Sequence, residues 1–155
     1  MATHLKAGDT APEFSAVSTD GKTISLADYR GKKLVMYFYP MDDTPGCTKQ
    51  ACSLRDANAE IAARGAAILG VSAQGEESHQ RFTEKFSLNF PLLADTDLAI
   101  AKAYGVAGSG VGGFLRKLAK FSERVTFIID ETGKVADVIS DPNCPDHGAE
   151  VLSLL

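Results

Sequence analysis

The stretch "KKLVMYFYPMDDTPGCTKQACSLRD", residues 32–56, changes character at its middle. From Leu34 to Tyr39 it is a continuous apolar and aromatic run of strand length, with no charged residue to mark a solvent face. A strand that is apolar on both faces belongs inside a sheet covered on both sides. Pro40 stops it, because proline has no N–H to give to a ladder. From about Thr44 to Arg64 the spacing changes. Cys47, Ala51, Leu54, Asn58 and Ile61 recur at intervals of four, three, four and three, which predicts a helix with one buried face. Gly65 then supplies a helix stop.

Working outward, "EFSAVSTDGKTISLADYRG" (13–31) reads as two short strands around the turn Asp20-Gly21. "AAILGVSA" (66–73) is a second buried strand. Residues 76–88 read as a helix, with Phe82 and Phe86 one turn apart, glutamates early, and Arg81 and Lys85 late. "FPLLAD" (90–95) is a short strand, after which Asp95 or Thr96 caps a short helix ending at Gly105. "GVAGSGVGG" (105–113) is a glycine-rich loop, and "FLRKLAKFSE" (114–123) a short basic amphipathic helix. "RVTFIIDETGKVADVIS" (124–140) is a hairpin about Glu131-Thr132-Gly133, and the last eight or so residues form a small helix. Alternation in the first part argues for parallel strands with crossover helices, and the late hairpin adds antiparallel ones. The expected fold is α/β: a mixed central sheet flanked by helices, with an N-terminal β-hairpin.

The length of 155 residues suits one domain spanning 1–155, with enough chain to bury a core without disulfides or metal. A net charge of −4 argues against a nucleic-acid surface. The N-terminal "MATHLKAGDTAPEF" has no apolar signal region, and no apolar run approaches a membrane span, so a cytoplasmic protein is expected. The cysteines are Cys47, Cys52 and Cys144. That small, odd number points to reactive or metal-bound thiols rather than a disulfide scaffold.

Cys47 falls in the first turn of the predicted helix. Free backbone N–H groups and the positive end of the helix dipole favour an anion there, and a thiolate is that anion and the nucleophilic form of sulfur. The hydroxyl of Thr44 can cap the helix or donate to a group bound beside Cys47. Pro40 and Pro45 remove backbone donors that would compete for the sulfur. Attack on a peroxide O–O bond would leave a sulfenic acid, which condenses readily with a second thiol. Cys52 is a candidate, but residues five apart on a helix rise about 7.5 Å and turn about 140°. A disulfide needs Cα atoms within roughly 6.8 Å and facing Cβ vectors. Either the first turns unwind in each cycle, or the pair is not redox-linked.

Pro40-Met41-Asp42-Asp43-Thr44-Pro45-Gly46-Cys47 resembles the PxxxTxxC active-site motif of peroxiredoxins. "FYPMDDTPGCTKQACSLRD" resembles the bacterioferritin-comigratory-protein, or PrxQ, subgroup, in which a second cysteine follows five residues after the first. "GDTAPEFSAVSTDGKTISLADYRGKKLVMYFYP", "GVSAQGEESHQRFTEKFSLNFPLLAD", "AKAYGV" and "RVTFIIDETGKV" match that layout in order, so the likeness covers nearly the whole chain. The resemblance implies a thioredoxin-like fold and a thiol peroxidase without metal or organic cofactor. It implies a peroxidatic Cys47 and a resolving Cys52, which form an intramolecular disulfide recycled by thioredoxin or a similar dithiol. It further implies a Thr44 hydroxyl contacting thiolate and peroxide, a shielding Pro40, and an Arg124 that stabilises the thiolate and the developing charge. A hydroperoxide is the expected substrate and a monomer the expected state. Two features depart from the pattern: "VSAQ" stands where an aspartate is common, and the glycine-rich basic loop precedes Arg124. No role for Cys144 follows.

Two other readings compete. Cys47, Cys52, Cys144 and His147 supply four zinc-type ligands, though nothing in the spacing brings the two halves together. A thiol–disulfide oxidoreductase would share the fold, but the chain has no C-x-x-C. His79 and His147 read as surface residues, and Arg116, Lys117 and Lys120 as a solvated helix face. The glycines at 108, 110, 112 and 113 lack the Walker pattern, and no dinucleotide fingerprint occurs.

Overall fold

A computed structural model describes residues 3–108 and 121–155. The glycine-rich loop beyond Gly108 and the basic segment with Arg116, Lys117 and Lys120 lie outside the described residues. Strands β1 (Ser15–Val17) and β2 (Thr23–Ser25) form an antiparallel hairpin. A five-stranded sheet runs in the order β5-β4-β3-β6-β7, from β3 (Lys33–Phe38), β4 (Ala66–Ser72), β5 (Leu92–Ala94), β6 (Val125–Ile129) and β7 (Val135–Ile139). β3, β4 and β5 are parallel, while β6 and β7 are antiparallel to their neighbours. The helices are α1 (Pro45–Ala63), α2 (Glu76–Phe86), α3 (Ala99–Ala103) and α4 (His147–Leu152). The mixed sheet and its hairpin are those expected from the sequence.

β3 is the central strand, and its alternation splits the core in two. Leu34, Met36 and Phe38 point into one cluster with Phe127, Tyr104 and Leu69. Val35, Tyr37 and Tyr39 point into the other, with Cys47, Ala51, Leu54 and Ile61 of α1. Residues 34–39 are fully buried, which is why the run has no polar face. Within α1, Gln50 joins the buried stripe. The helix ends through Arg64, and Gly65 follows at φ +79°, a left-handed conformation natural to glycine.

The short helix α3 differs from expectation at its start. The position before it is Leu98, in the left-handed region at φ +59°, and neither Asp95 nor Thr96 occupies the cap. The Asp95 carboxylate instead reaches forward and accepts the N–H groups of Ile100 and Ala101, at 3.0 and 2.9 Å. The capping chemistry is as read, delivered from farther upstream. His79 and His147 also depart from expectation, since both are fully buried.

Candidate active site

The loop after β3 delivers Cys47. Asp43, at φ +59°, turns the chain, Thr44 takes the N-cap position in extended conformation, and Pro45 opens α1. Proline suits that place because its missing N–H needs no partner in the first turn. Cys47 thus sits two residues after Pro45, in the first turn and 1% exposed. Free N–H groups and the helix dipole favour negative charge at this point.

Arg124 reaches Cys47 through the sheet. β6 runs antiparallel to β3 in the register Phe38↔Val125, so β6 begins beside the end of β3. Arg124 lies one residue before that register, and Ser122 ties the incoming chain to Tyr39 by donating its hydroxyl to the carbonyl at 2.9 Å. The guanidinium is divided between two partners. Nη2 donates to Cys47 Sγ at 3.2 Å, and Nη1 donates to Gln50 Oε1 at 2.8 Å. A Cβ on Gly46 would lie 3.2 Å from Nη2, so a side chain there would crowd the arginine. Gln50, one turn after Cys47, is a site residue that the sequence reading missed. Its signal was an amide on an apolar helical stripe.

The first half of the motif is fastened to the sheet and to α2. Asp42, with a 4% exposed side chain, accepts hydrogen bonds from Tyr39 Oη at 2.6 Å and Ser78 Oγ at 2.7 Å, and pairs with His79 Nδ1 at 2.7 Å. The other nitrogen of His79 lies 2.9 Å from the carbonyl of Leu93. Burial opposes the Asp42 charge, but the His79, Tyr39 and Ser78 donors outweigh it and hold the carboxyl below its ordinary value. Gln74 accepts the Asp42 N–H at 3.1 Å and the Ser72 hydroxyl at 2.6 Å, and its amide faces the Pro40 carbonyl at 3.5 Å.

The other expected residues fall around this centre. Thr44 makes no side-chain cap, and its hydroxyl donates to the Met41 carbonyl at 3.1 Å. Of its two expected uses, capping is therefore absent in this state. Pro40 is half-buried at the end of β3. Cys52 is a free, half-buried thiol within intact α1, and Cys144 a free, half-buried thiol in a 3₁₀ turn, Cys144–Asp146. Cys144 and Arg124 line a common cleft of about 430 Å³ with Glu123, Val125, Ser140, Asp141 and Pro142.

The four-ligand zinc alternative is not assembled. Among the described residues no three His, Cys, Asp or Glu side chains gather in metal-binding geometry. His147 engages Thr126 Oγ1 through Nε2 at 2.8 Å and Glu150 through Nδ1 at 2.9 Å. Burial keeps its pKa below 6.5 although Glu150 pulls the other way. In the core cluster of Cys47 and Ala51, Tyr37 stacks on Tyr39 with ring centroids 5.3 Å apart. Burial pushes its phenol well above the ordinary value.

This arrangement supplies a sulfur at a helix start, a fixed cation in contact with it, and a rigid approach loop. Together these favour negative charge at this point and stabilise charge developing on an oxygen beside the sulfur. Residues 7–138 match the AhpC/TSA family. The chain is 42% identical to peroxiredoxin Bcp of Escherichia coli K12 over 151 residues, covering 97% of this chain and 96% of that one. It is 40% identical to a Coxiella burnetii protein named as a putative peroxiredoxin bcp, covering 97% and 99%. Among solved structures, peroxidoxin BcpB of Mycobacterium tuberculosis superposes with a TM-score of 0.86 at 33% identity, over 97% of this chain and 96% of that one. A cysteine-to-serine mutant of Xylella fastidiosa PrxQ gives 0.88 at 29% identity, over 98% and 96%.

Proposed function

The chain belongs to the AhpC/TSA family, and from that premise we propose that its thiol peroxidase activity runs through Cys47 as the peroxidatic nucleophile and Cys52 as the resolving thiol. The observation that carries the reading is the Arg124 guanidinium, 3.2 Å from Cys47 Sγ at a helix start. The Cys47 thiolate attacks the distal oxygen of a hydroperoxide. The S–O bond forms as the O–O bond breaks, the alkoxide or hydroxide leaves and takes from solvent the proton the thiol gave up, and Cys47 becomes a sulfenic acid. Arg124 stabilises both the starting thiolate and the departing oxygen, while Gln50 holds the other arm of its fork. Thr44 turns its hydroxyl from Met41 to the bound peroxide, and Pro40 shields the sulfur from water. The sulfenic acid then condenses with the Cys52 thiol, releasing water and forming the disulfide. A thioredoxin-type dithiol returns both cysteines to thiols and is itself oxidised.

The half-buried Cys52 lies in an intact helix, at a spacing that forbids the bond (about 7.5 Å of rise). Residues 45–52 therefore unwind in every turnover. A monomer of one domain, in the cytoplasm, is the setting this reading assigns. Cys47→Ser is expected to abolish peroxide turnover. Cys52→Ser is expected to permit one oxidation and then stall with thioredoxin as reductant. The test is peptide mapping after one equivalent of hydrogen peroxide. Trypsin cuts at Lys49, so the expected product is a peptide ending at Lys49 joined to Gln50–Arg55. A Cys47–Cys144 link would overturn the assignment of Cys52.

A further inference from the structure

Among the described residues, three side-chain polar atoms are buried without a hydrogen-bond partner: Tyr37 Oη, Gln50 Nε2 and Thr83 Oγ1. Gln50 lies in the first turns of α1, and Tyr37 projects from β3 into the core cluster that contains Cys47 and Ala51. Gln50 is fully buried, with its oxygen held by Arg124 and its amide facing no acceptor. Leaving a buried donor unpaired carries the full desolvation cost of the group. Such groups are scarce in folded proteins, and two of them so placed need a reason.

The cost falls on one state only. While α1 is intact, the Tyr37 hydroxyl and the Gln50 amide are sealed from water. When residues 45–52 unwind, Gln50 leaves with them and Tyr37 is uncovered, so both donors gain water partners. We propose that Tyr37 and Gln50 are positioning residues for the resolving step: their unpaired donors bias the start of α1 toward the open form in which Cys52 meets the Cys47 sulfenic acid. This rests on the reading of Cys47 and Cys52 as the redox pair. Neither donor takes part in the chemistry. Condensation still forms one S–S bond and releases one water.

Tyr37→Phe tests this, because it removes only the oxygen. With hydrogen peroxide as oxidant, the first oxidation of Cys47 is expected to keep its rate. Disulfide formation is expected to slow by about tenfold, the effect of one restored buried site. More Cys47 should proceed to sulfinic acid before resolution, and the reduced protein should melt no lower than wild type. Thr83→Val is the control, since it removes an equally unpaired hydroxyl from a site against Thr19 and Asp20, away from the cysteines. It is expected to leave disulfide formation unchanged. Resolution at the wild-type rate in Tyr37→Phe, an equal slowing in Thr83→Val, or a lowered melting temperature in Tyr37→Phe overturns the proposal. If wild-type protein forms no Cys47–Cys52 disulfide, the parent reading fails instead, a result distinguishable without any variant.

Discussion

Arg124 is the residue through which the site is joined. One planar fork serves two acceptors, Sγ of Cys47 and Oε1 of Gln50, and a lysine ammonium cannot serve both in that geometry. Arg124→Lys is expected to slow Cys47 oxidation on the order of 100-fold, the scale of losing one preorganised donor, while leaving the resolving step in place. Stopped-flow oxidation by hydrogen peroxide, with sulfenic acid and disulfide followed separately, checks this. The contrast between Cys47 and Arg124 marks what a sequence can carry. The placement of Cys47 at a helix start was legible from its own neighbours, because a helix start and a proline turn are local. The contact with Arg124 spans 77 positions and depends on the register Phe38↔Val125, which no local pattern encodes. The family resemblance supplied it. His79 and His147 were misread for a related reason: a polar type suggests solvent, but here a carboxylate, a carbonyl and a hydroxyl from distant segments, with the nearby Glu150, satisfy both rings.

At the scale of elements, the motif has a half fastened by side chains of other elements and a half held chiefly by its own helix. Residues 40–42 are held by Tyr39, Gln74, Ser78 and His79, drawn from two strand ends and α2. Residues 45–52 are held by helical bonds and the Arg124 contacts. The Asp42 clamp has a pH signature. Its carboxyl lies below the ordinary 3.8, so its contribution to stability is complete above the unfolded value and is lost as pH falls through the folded one. Asp42→Asn is therefore expected to be less stable than wild type at neutral pH, with the gap closing only below about pH 3.8. Urea melts across pH 2.5–7 provide the check. The elements themselves were largely legible, because each periodic run is long enough to declare its period. The start of α3 was legible only in part: Asp95 was read as its cap, but the helix begins at Ala99, behind the left-handed Leu98, a turn no periodicity signals.

At the scale of the whole molecule, β3 is the plane on which both core clusters rest, and Gly70 of the neighbouring strand is a tight point in it. It pairs with Tyr37, and a Cβ there would lie 2.6 Å from Leu92 Cδ2 and 3.0 Å from two atoms of the Tyr37 ring. Both side chains are fully buried. Gly70→Ala is expected to destabilise the fold by about 1–3 kcal/mol, a fall in melting temperature of roughly 2–4 °C per kcal/mol. Thermal melts measure it. The two-sided burial of "LVMYFY" was plain in the sequence. That a small residue must stand opposite one of its tyrosines was not, because the requirement belongs to strand pairing.

The contact between α4 and α1 has a consequence of its own. Gly148 donates its N–H to Ser53 Oγ at 2.8 Å, and its backbone comes so close that a Cβ would sit 2.6 Å from the Ser53 carbonyl and 2.8 Å from Ala57 Cβ. Ser53 is the residue after Cys52, so the pinned part of the helix begins where the second thiol ends. On this reading the stretch Pro45–Cys52, eight of the nineteen residues of α1, is melted in the oxidised state, and the remainder stands. The oxidation state of two sulfur atoms is thereby written as the length of one helix. Far-ultraviolet dichroism would read that length optically, and the protein reports its own exposure to peroxide without an added dye.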